Sequence, residues 1–298
     1  MKILTAEEMG AVDRRSVETG VPVWTLMQHA GDAVARFCLR RFEGGGLVVV
    51  LAGKGNNGGD GMVAARCLAE AGRRVRVALL GEVAEMKGDA LSALTAAKAQ
   101  AGVELREIKD DEGLRKALED AELVIDAVVG TGFKPPLRGL AAAARDLLEA
   151  SKVEVVAVDL PSGWDADSRE MKAEGAFRAD AVVTFAAPKV AHVFGHLTVG
   201  KAFGPVVVAE IGTPEAAIVS SSGLTWGGSS KTVAERPRAT NGNKGRLGHV
   251  LLVGGAFGKA GAPSMACVAA MRAGAGLVTA AVPREILPIV AAVAPELM

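Results

Sequence analysis

Leu47-Val48-Val49-Val50-Leu51-Ala52 runs directly into Gly53-Lys54-Gly55-Asn56-Asn57-Gly58-Gly59-Asp60-Gly61, and this junction decides the fold class. A short, unbroken, valine-rich run reads as a strand buried on both faces, the kind found in parallel sheets. The five glycines that follow let the backbone turn tightly, and their N–H groups can converge on an anion where a helix begins. The spacing matches neither GxGxxG nor GxxxxGK[ST], so neither the ordinary dinucleotide fingerprint nor a Walker-type phosphate loop is present. Asn56, Asn57 and Asp60 add side-chain oxygens beside Gly58 and Gly59, which makes the loop a candidate ligand cradle; a purely structural glycine turn is the alternative.

Further valine-rich runs occur at Val75–Leu80, Leu123–Val129, Val153–Asp159, Ala181–Phe185 and Val206–Ala209. Alanine-rich helical segments such as Met62–Ala71, Asp89–Ala101 and Leu140–Ala150 separate them. Upstream, Thr5 and Glu8 have capping-box spacing, and a second apolar-periodic segment runs from about Val23 to Phe42. Strands alternating with helices predict a doubly wound, mainly parallel α/β sheet of the Rossmann-like kind.

Composition narrows the function classes. Lys plus Arg equals Asp plus Glu at 34 each, so no global field favours nucleic acid or an anionic membrane. Cys38, Cys67 and Cys267 are scattered without metal-ligand spacing and read as buried thiols in a reducing compartment. The N-terminus lacks the apolar core of a signal peptide, and no apolar stretch is long enough to span a bilayer. The expectation is a cytoplasmic protein with a small-molecule ligand.

In doubly wound sheets ligands bind beyond the carboxyl ends of the strands, which directs attention to the residues that follow each run. Asp126 sits inside an apolar strand ahead of Gly130-Thr131-Gly132-Phe133-Lys134-Pro135-Pro136, and Asp159 ends a strand ahead of Leu160-Pro161-Ser162-Gly163. A buried Asp126 needs donors or a cation. It either caps a neighbouring loop or joins Asn57 and Ser162 around one metal ion, monovalent or divalent. Asp159 is aimed at the cleft, with turn capping as its structural alternative. Lys134 and Lys189 read as solvated loop lysines, with electrostatic help to Asp159 as the second reading.

The glycine–asparagine loop, Asp126 with its Gly-Thr-Gly, and Val158-Asp159-Leu160-Pro161-Ser162-Gly163 together resemble the NAD(P)H-hydrate epimerases, the YjeF N-terminal family. The likeness covers residues 1–215. It implies an isomerase that interconverts the R and S forms of hydrated NADH or NADPH at C6. It also implies one potassium ion on Asn57, Asp126 and Ser162. Substrate contacts would come from Asn56, Asn57, Gly58, Gly59 and Asp60, from Gly130, Thr131, Gly132, Phe133, Lys134, Pro135 and Pro136, and from Asp159, the candidate general acid/base. The sequence departs from the family pattern at Gln28-His29, where a Glu-Asn pair is common. A noncatalytic dinucleotide-binding or dimerisation module is the competing reading, and the helices before the first strand are candidate elements of a homodimer or higher homo-oligomer.

Residues 216–243, rich in Ser, Gly, Thr and Pro, read as a linker. Residues 244–298 follow as strand, glycine loop, helix and strand. Lys244-Gly245-Arg246-Leu247-Gly248-His249 and Arg272-Ala273-Gly274-Ala275-Gly276-Leu277-Val278-Thr279 resemble the start of the ribokinase-like, ADP- or ATP-dependent NAD(P)H-hydrate dehydratase domain. The late Gly-Thr-Gly-Asp loop of that domain is absent, so the expectation is an incomplete dehydratase (lyase) domain without dehydratase activity.

Overall fold

In the computed structural model, which describes residues 1–170, 175–197, 204–227, 242–294 and 296–298, seven strands pair into one parallel sheet. They are β1 (Leu47–Ala52), β2 (Val75–Leu80), β3 (Val103–Ile108), β4 (Ala121–Ala127), β5 (Glu154–Val158), β6 (Ala181–Phe185) and β7 (Val206–Ala209). Their order is β3-β2-β1-β4-β5-β6-β7, with every neighbouring pair parallel. The chain winds outward in one direction from β1 and in the other from β4. The loops leaving these two central strands therefore diverge and open a crevice between them.

The helices of this unit are α1 (Ala6–Glu18), α2 (Val23–Arg41), α3 (Asn56–Glu70), α4 (Gly88–Ala99), α5 (Asp111–Leu118), α6 (Gly139–Glu149) and α7 (Val190–Leu197). At the start of α1 the Thr5 Oγ1 accepts from the Glu8 N–H at 3.2 Å, and Glu8 returns a carboxylate to the Thr5 N–H at 2.9 Å. Both faces of the sheet are covered: Val48, Val50 and Ala52 pack with Val34, Met62 and Leu68, while Val49 and Leu51 pack with Leu114, Ala144 and Leu148. Each fully buried valine or leucine stabilises by roughly 1.5–3 kcal/mol relative to exposure. Two-sided burial is why these strands lack a polar alternation.

The structure departs from the sequence reading in three places. First, β3 and α5 lie between expected elements. As the edge strand, β3 keeps one face near solvent and carries charges, with Glu104 pairing to Arg76 at 2.8 Å and to Arg106 at 2.6 Å. Second, α3 begins at Asn56 rather than Met62, so most of the glycine loop is the opening of the helix. The glycines permit that close approach: a Cβ on Gly58 would stand 1.9 Å from the Gly53 carbonyl oxygen, and one on Gly61 would stand 2.5 Å from the Ala127 Cβ.

Third, the expected linker from 216 to 243 is in part docked. Ala217 is buried, Ile3 N–H donates to Leu224 O at 3.1 Å, and Trp226 N–H donates to Met1 O at 2.7 Å. Its serines add side-chain bonds to the same region, Ser220 Oγ donating to the Ile3 carbonyl at 2.8 Å and Ser221 Oγ to the Glu8 carboxylate at 2.8 Å. The chain divides into the units Met1–Gly227 and Gly228–Met298, and linker residues 228–241 lie outside the described residues.

The second unit contains β8 (His249–Val253), α8 (Gly261–Arg272), β9 (Leu277–Ala281) and α9 (Leu287–Ala291). The two strands pair in parallel, His249 opposite Leu277, so strand, helix and strand form a βαβ unit. Leu251 and Val253 on β8 are exposed. Among the described residues no helix is long and apolar enough to cross a membrane.

Candidate active site

A cavity of about 660 Å³ opens at the carboxyl ends of β1, β4, β5 and β6. Gly55, Asn56, Asn57 and Asp60 line it from the start of α3, Gly130 to Phe133 from the loop after β4, Asp159 from the end of β5, and Lys189 from beyond β6. Asn57 and Asp60 are three residues apart on α3, which brings both to one helix face. Gly55 caps α3 without a side-chain hydrogen bond, so the first helical amides remain for a ligand. The volume suits a small-molecule ligand.

Asp159 has a φ of +66°, a left-handed conformation that Asp tolerates better than most residues. Its Oδ1 accepts from Lys189 Nζ at 2.5 Å and from Thr184 Oγ1 at 2.8 Å, and its Oδ2 accepts from Thr131 Oγ1 at 3.0 Å. Lys189 Nζ also donates to Thr184 Oγ1 at 2.8 Å and to the Phe185 carbonyl at 3.2 Å. His192 ties the two backbones together. Lys189 N–H donates to His192 Nδ1 at 3.0 Å, which places the ring proton on Nε2, 2.8 Å from the Asp159 carbonyl oxygen. Burial alone would raise the Asp159 carboxyl, but the Lys189 ammonium holds it below the ordinary carboxylate range.

Asp126 is also buried and meets no cation among the described residues. Its Oδ1 accepts from Ser162 Oγ at 2.5 Å and from Val128 N–H at 3.3 Å, and its Oδ2 accepts from Ser162 N–H at 2.7 Å. Burial outweighs these hydrogen bonds and pushes the carboxyl up to about 6. Asn57 lies against Gly130, where a Cβ would come within 3.2 Å of its Oδ1. The Asn57 amide nitrogen is buried and has no hydrogen-bond partner among the described residues.

Two more carboxylates face the Asp159 cavity. Asp60 is half-buried, and burial followed by the like charges of Asp159 and Asp13 pushes its carboxyl well above the ordinary range. Asp13, from α1, sits exposed at the rim; partial desolvation by the cavity wall, with Asp159 adding to it, raises its carboxyl against the opposing Lys189 charge.

The structure thus gathers Asn56, Asn57, Asp60, Gly130, Thr131, Gly132, Phe133 and Asp159 on one cavity, while Gly58 and Gly59 turn into the packing of α3. Lys134, Pro135 and Pro136 lie outside the cavity lining, and Lys134 is exposed, bonded to Asp165 at 2.8 Å and Asp167 at 3.3 Å. Lys189, expected chiefly as a solvated loop lysine, is instead almost wholly buried on Asp159. Sequence reasoning missed Asp13, Thr184 and His192. The signal for Lys189 and His192 was their i,i+3 spacing just past an apolar strand; Asp13, in an amphipathic helix, left none.

Fold and site define an α/β protein with a ligand-sized cleft at the switch point of a parallel sheet. The family described as YjeF-related protein N-terminus matches residues 24–191, and the chain belongs to it. The bifunctional NAD(P)H-hydrate repair enzyme Nnr of Moorella thermoacetica is 39% identical over 310 aligned positions, covering 100% of this chain and 57% of that protein. The protein of the same description from Pyrobaculum aerophilum is 38% identical, with 100% and 58% covered. The NAD(P)H-hydrate epimerase of Rhodopirellula baltica is 36% identical over 212 positions, 71% of this chain and 84% of that one. The chain therefore spans less than two thirds of these two bifunctional relatives and most of the epimerase. The crystal structure of yeast ynu0, YNL200c superposes with a TM-score of 0.58 at 24% identity, covering 69% of this chain and 88% of that chain, a likeness of fold.

Proposed function

We propose that this cleft epimerises hydrated NADH and NADPH at C6 of the damaged nicotinamide ring. The observation that carries the reading is the convergence of the Asn56–Asp60, Gly130–Phe133 and Asp159 segments on one cavity, in a chain homologous to an NAD(P)H-hydrate epimerase. C6 of the hydrate bears a hydroxyl beside the ring nitrogen. Once that oxygen is protonated the nitrogen lone pair expels it as water, and water re-adds to either face. The open amides of α3 would take the pyrophosphate, so that binding energy from remote groups positions C6 against the Asp159 carboxylate. Thr131 fastens the loop after β4 to Asp159, so the loop and the acid/base residue are positioned together.

Family membership is consistent with potassium dependence, and the donor set fits that ion. Among the described residues no group of three or more His, Cys, Asp or Glu could hold a metal. One carboxylate with hydroxyl and amide oxygens instead suits a hard ion of low charge. Asn57 meets that requirement too, because an amide nitrogen buried without an acceptor is better turned to present its oxygen. Asn57, Asp126 and Ser162 would hold the ion. When bound, it supplies positive charge beside Asp126 and fixes the loops after β1, β4 and β5. We read the second unit as the opening of a ribokinase-like domain, because the bifunctional relatives align over the whole chain. A cytoplasmic setting agrees with three free cysteines.

The test is to add the chain to pure (R)-hydrate and follow (S)-hydrate by chromatography. Faster interconversion than in buffer is expected. An unchanged rate, with the hydrate still bound, would reduce the domain to a noncatalytic binding module.

A further inference from the structure

We propose that Asp60 and Asp159 divide the proton chemistry of the site: Asp60 is the general acid that protonates the departing hydroxyl, and Asp159 is the base that deprotonates the entering water. The proposal rests on the epimerase reading and goes beyond it by splitting a role that one carboxylate was expected to fill. Both side chains line the same cavity, from the start of α3 and the end of β5. They differ in what surrounds them.

Asp159 accepts from Lys189 and Thr184 on one oxygen and from Thr131 on the other, an arrangement of donors that suits a carboxylate with no proton of its own. Lys189 has no spare proton to offer, since its three N–H bonds go to Asp159, Thr184 and the Phe185 carbonyl. Asp60 accepts no hydrogen bond from a described residue. The charged groups facing it are Asp13 from α1, Asp159 after β5, Lys189 after β6 and Lys54 from the loop before α3. Lys54 is drawn outward by Glu85 at 2.9 Å, and Lys189 is committed to Asp159. Three carboxylates therefore share a cavity in which the one buried cation among the described residues is hydrogen-bonded to Asp159 and reaches Asp60 and Asp13 only through space. Like charges crowded in this way keep a proton on the least solvated carboxylate without a cation, and that is Asp60 rather than exposed Asp13. The opposite directions in which burial and neighbouring charge push Asp60 and Asp159 agree with this assignment.

In the forward step Asp60 gives its proton to the C6 hydroxyl oxygen. The C6–O bond breaks, its electron pair leaving on water, while the ring-nitrogen lone pair forms the C=N bond of an iminium ion. Water then bonds to C6 from the other face, the C=N π pair returns to nitrogen, and Asp159 takes the proton that this water sheds. Passage of that proton from Asp159 to Asp60 restores both groups, and no co-reactant is consumed.

The experiment combines kinetics with a carboxyl titration. Asp60→Asn keeps size and is expected to lower kcat by at least about a hundredfold with little change in KM. It should also remove the alkaline fall of the kcat/KM profile. In protein carrying ¹³C-labelled aspartate carboxyls, the Asp60 signal, assigned by its loss in Asp60→Asn, should remain that of the acid well above the ordinary value of about 4. Asp13→Asn removes a like charge, so the Asp60 titration and the alkaline limb should both move to lower pH. Titration of Asp60 near its ordinary value, or Asp60→Asn with wild-type turnover and an intact alkaline limb, overturns the assignment. A wild-type chain that does not accelerate epimerisation overturns the epimerase reading itself, and the titration separates that failure from a wrong choice of acid.

Discussion

Asp126 and Asp159 both lie at carboxyl ends of central strands, both are buried, and each accepts three hydrogen bonds from nearby groups. Among the described residues, only Asp159 has a cation. Its charge is settled inside the protein by Lys189, whereas Asp126 is surrounded by neutral donors that do not repay the loss of water. The difference separates two functions that a sequence pattern cannot. A carboxylate with its own ammonium rests ionised and ready to accept a proton, and one with neutral partners is left to attract a charge from outside.

The largest effect should come from breaking the internal pair. Lys189→Met leaves Asp159 buried without a counter-charge, and loss of one partner of a buried pair costs about 3–5 kcal/mol. Urea unfolding should show that loss; a midpoint near that of wild type would mean that the hydroxyls alone neutralise Asp159. Next in size is Asp159→Asn, which keeps the shape and tolerates the left-handed backbone. Turnover should fall by about a hundredfold or more, with hydrate binding in calorimetry close to wild type. Wild-type turnover would remove Asp159 from the mechanism.

The Asp126 side of the comparison is tested by salt. Potassium at a hundred times its dissociation constant should stabilise the chain by about 2.7 kcal/mol over a tetramethylammonium control, and Asp126→Asn should abolish that gain. Equal melting temperatures in the two salts would contradict the ion site.

Acid titration of stability in potassium-free buffer then sets the two carboxylates against each other. A folded-state carboxyl raised to about 6 binds its proton more tightly than the unfolded chain does, so the Asp126 contribution is present at low pH and is lost as pH rises through that value. Asp159 is depressed, so its contribution is present above the unfolded value of about 4 and is lost as pH falls below it. Subtracting the Asp126→Asn and Asp159→Asn curves from wild type should therefore give slopes of opposite sign. Two slopes of the same sign would erase the distinction. The smallest effect belongs to Lys134→Ala, which removes only the exposed bridges to Asp165 and Asp167 and should cost no more than about 1 kcal/mol in the same unfolding assay.

The class of sheet was legible in the sequence, because strands covered on both faces are apolar along nearly their whole length: β1 is wholly so, and β2 and β6 each carry one polar residue, Arg76 and Thr184, in an otherwise apolar run. The sequence equally determined which strand ends carry chemistry, since Asn57, Asp126, Asp159 and Ser162 interrupt apolar or glycine-rich stretches where burial makes a polar group costly. Edge strand β3 escaped because one exposed face lets charges into the pattern. Tertiary structure alone decided the glycines' role: Gly58 and Gly61 are small so that α3 can approach Gly53 and Ala127. It also decided which lysine matters. Lys134 and Lys189 look alike as loop lysines, and only the folding of β5 beside β6 brings Lys189 onto Asp159 and Thr184 while Lys134 remains in water. A charge state depends on neighbours distant in sequence and on the water they exclude, and neither is written in local pattern.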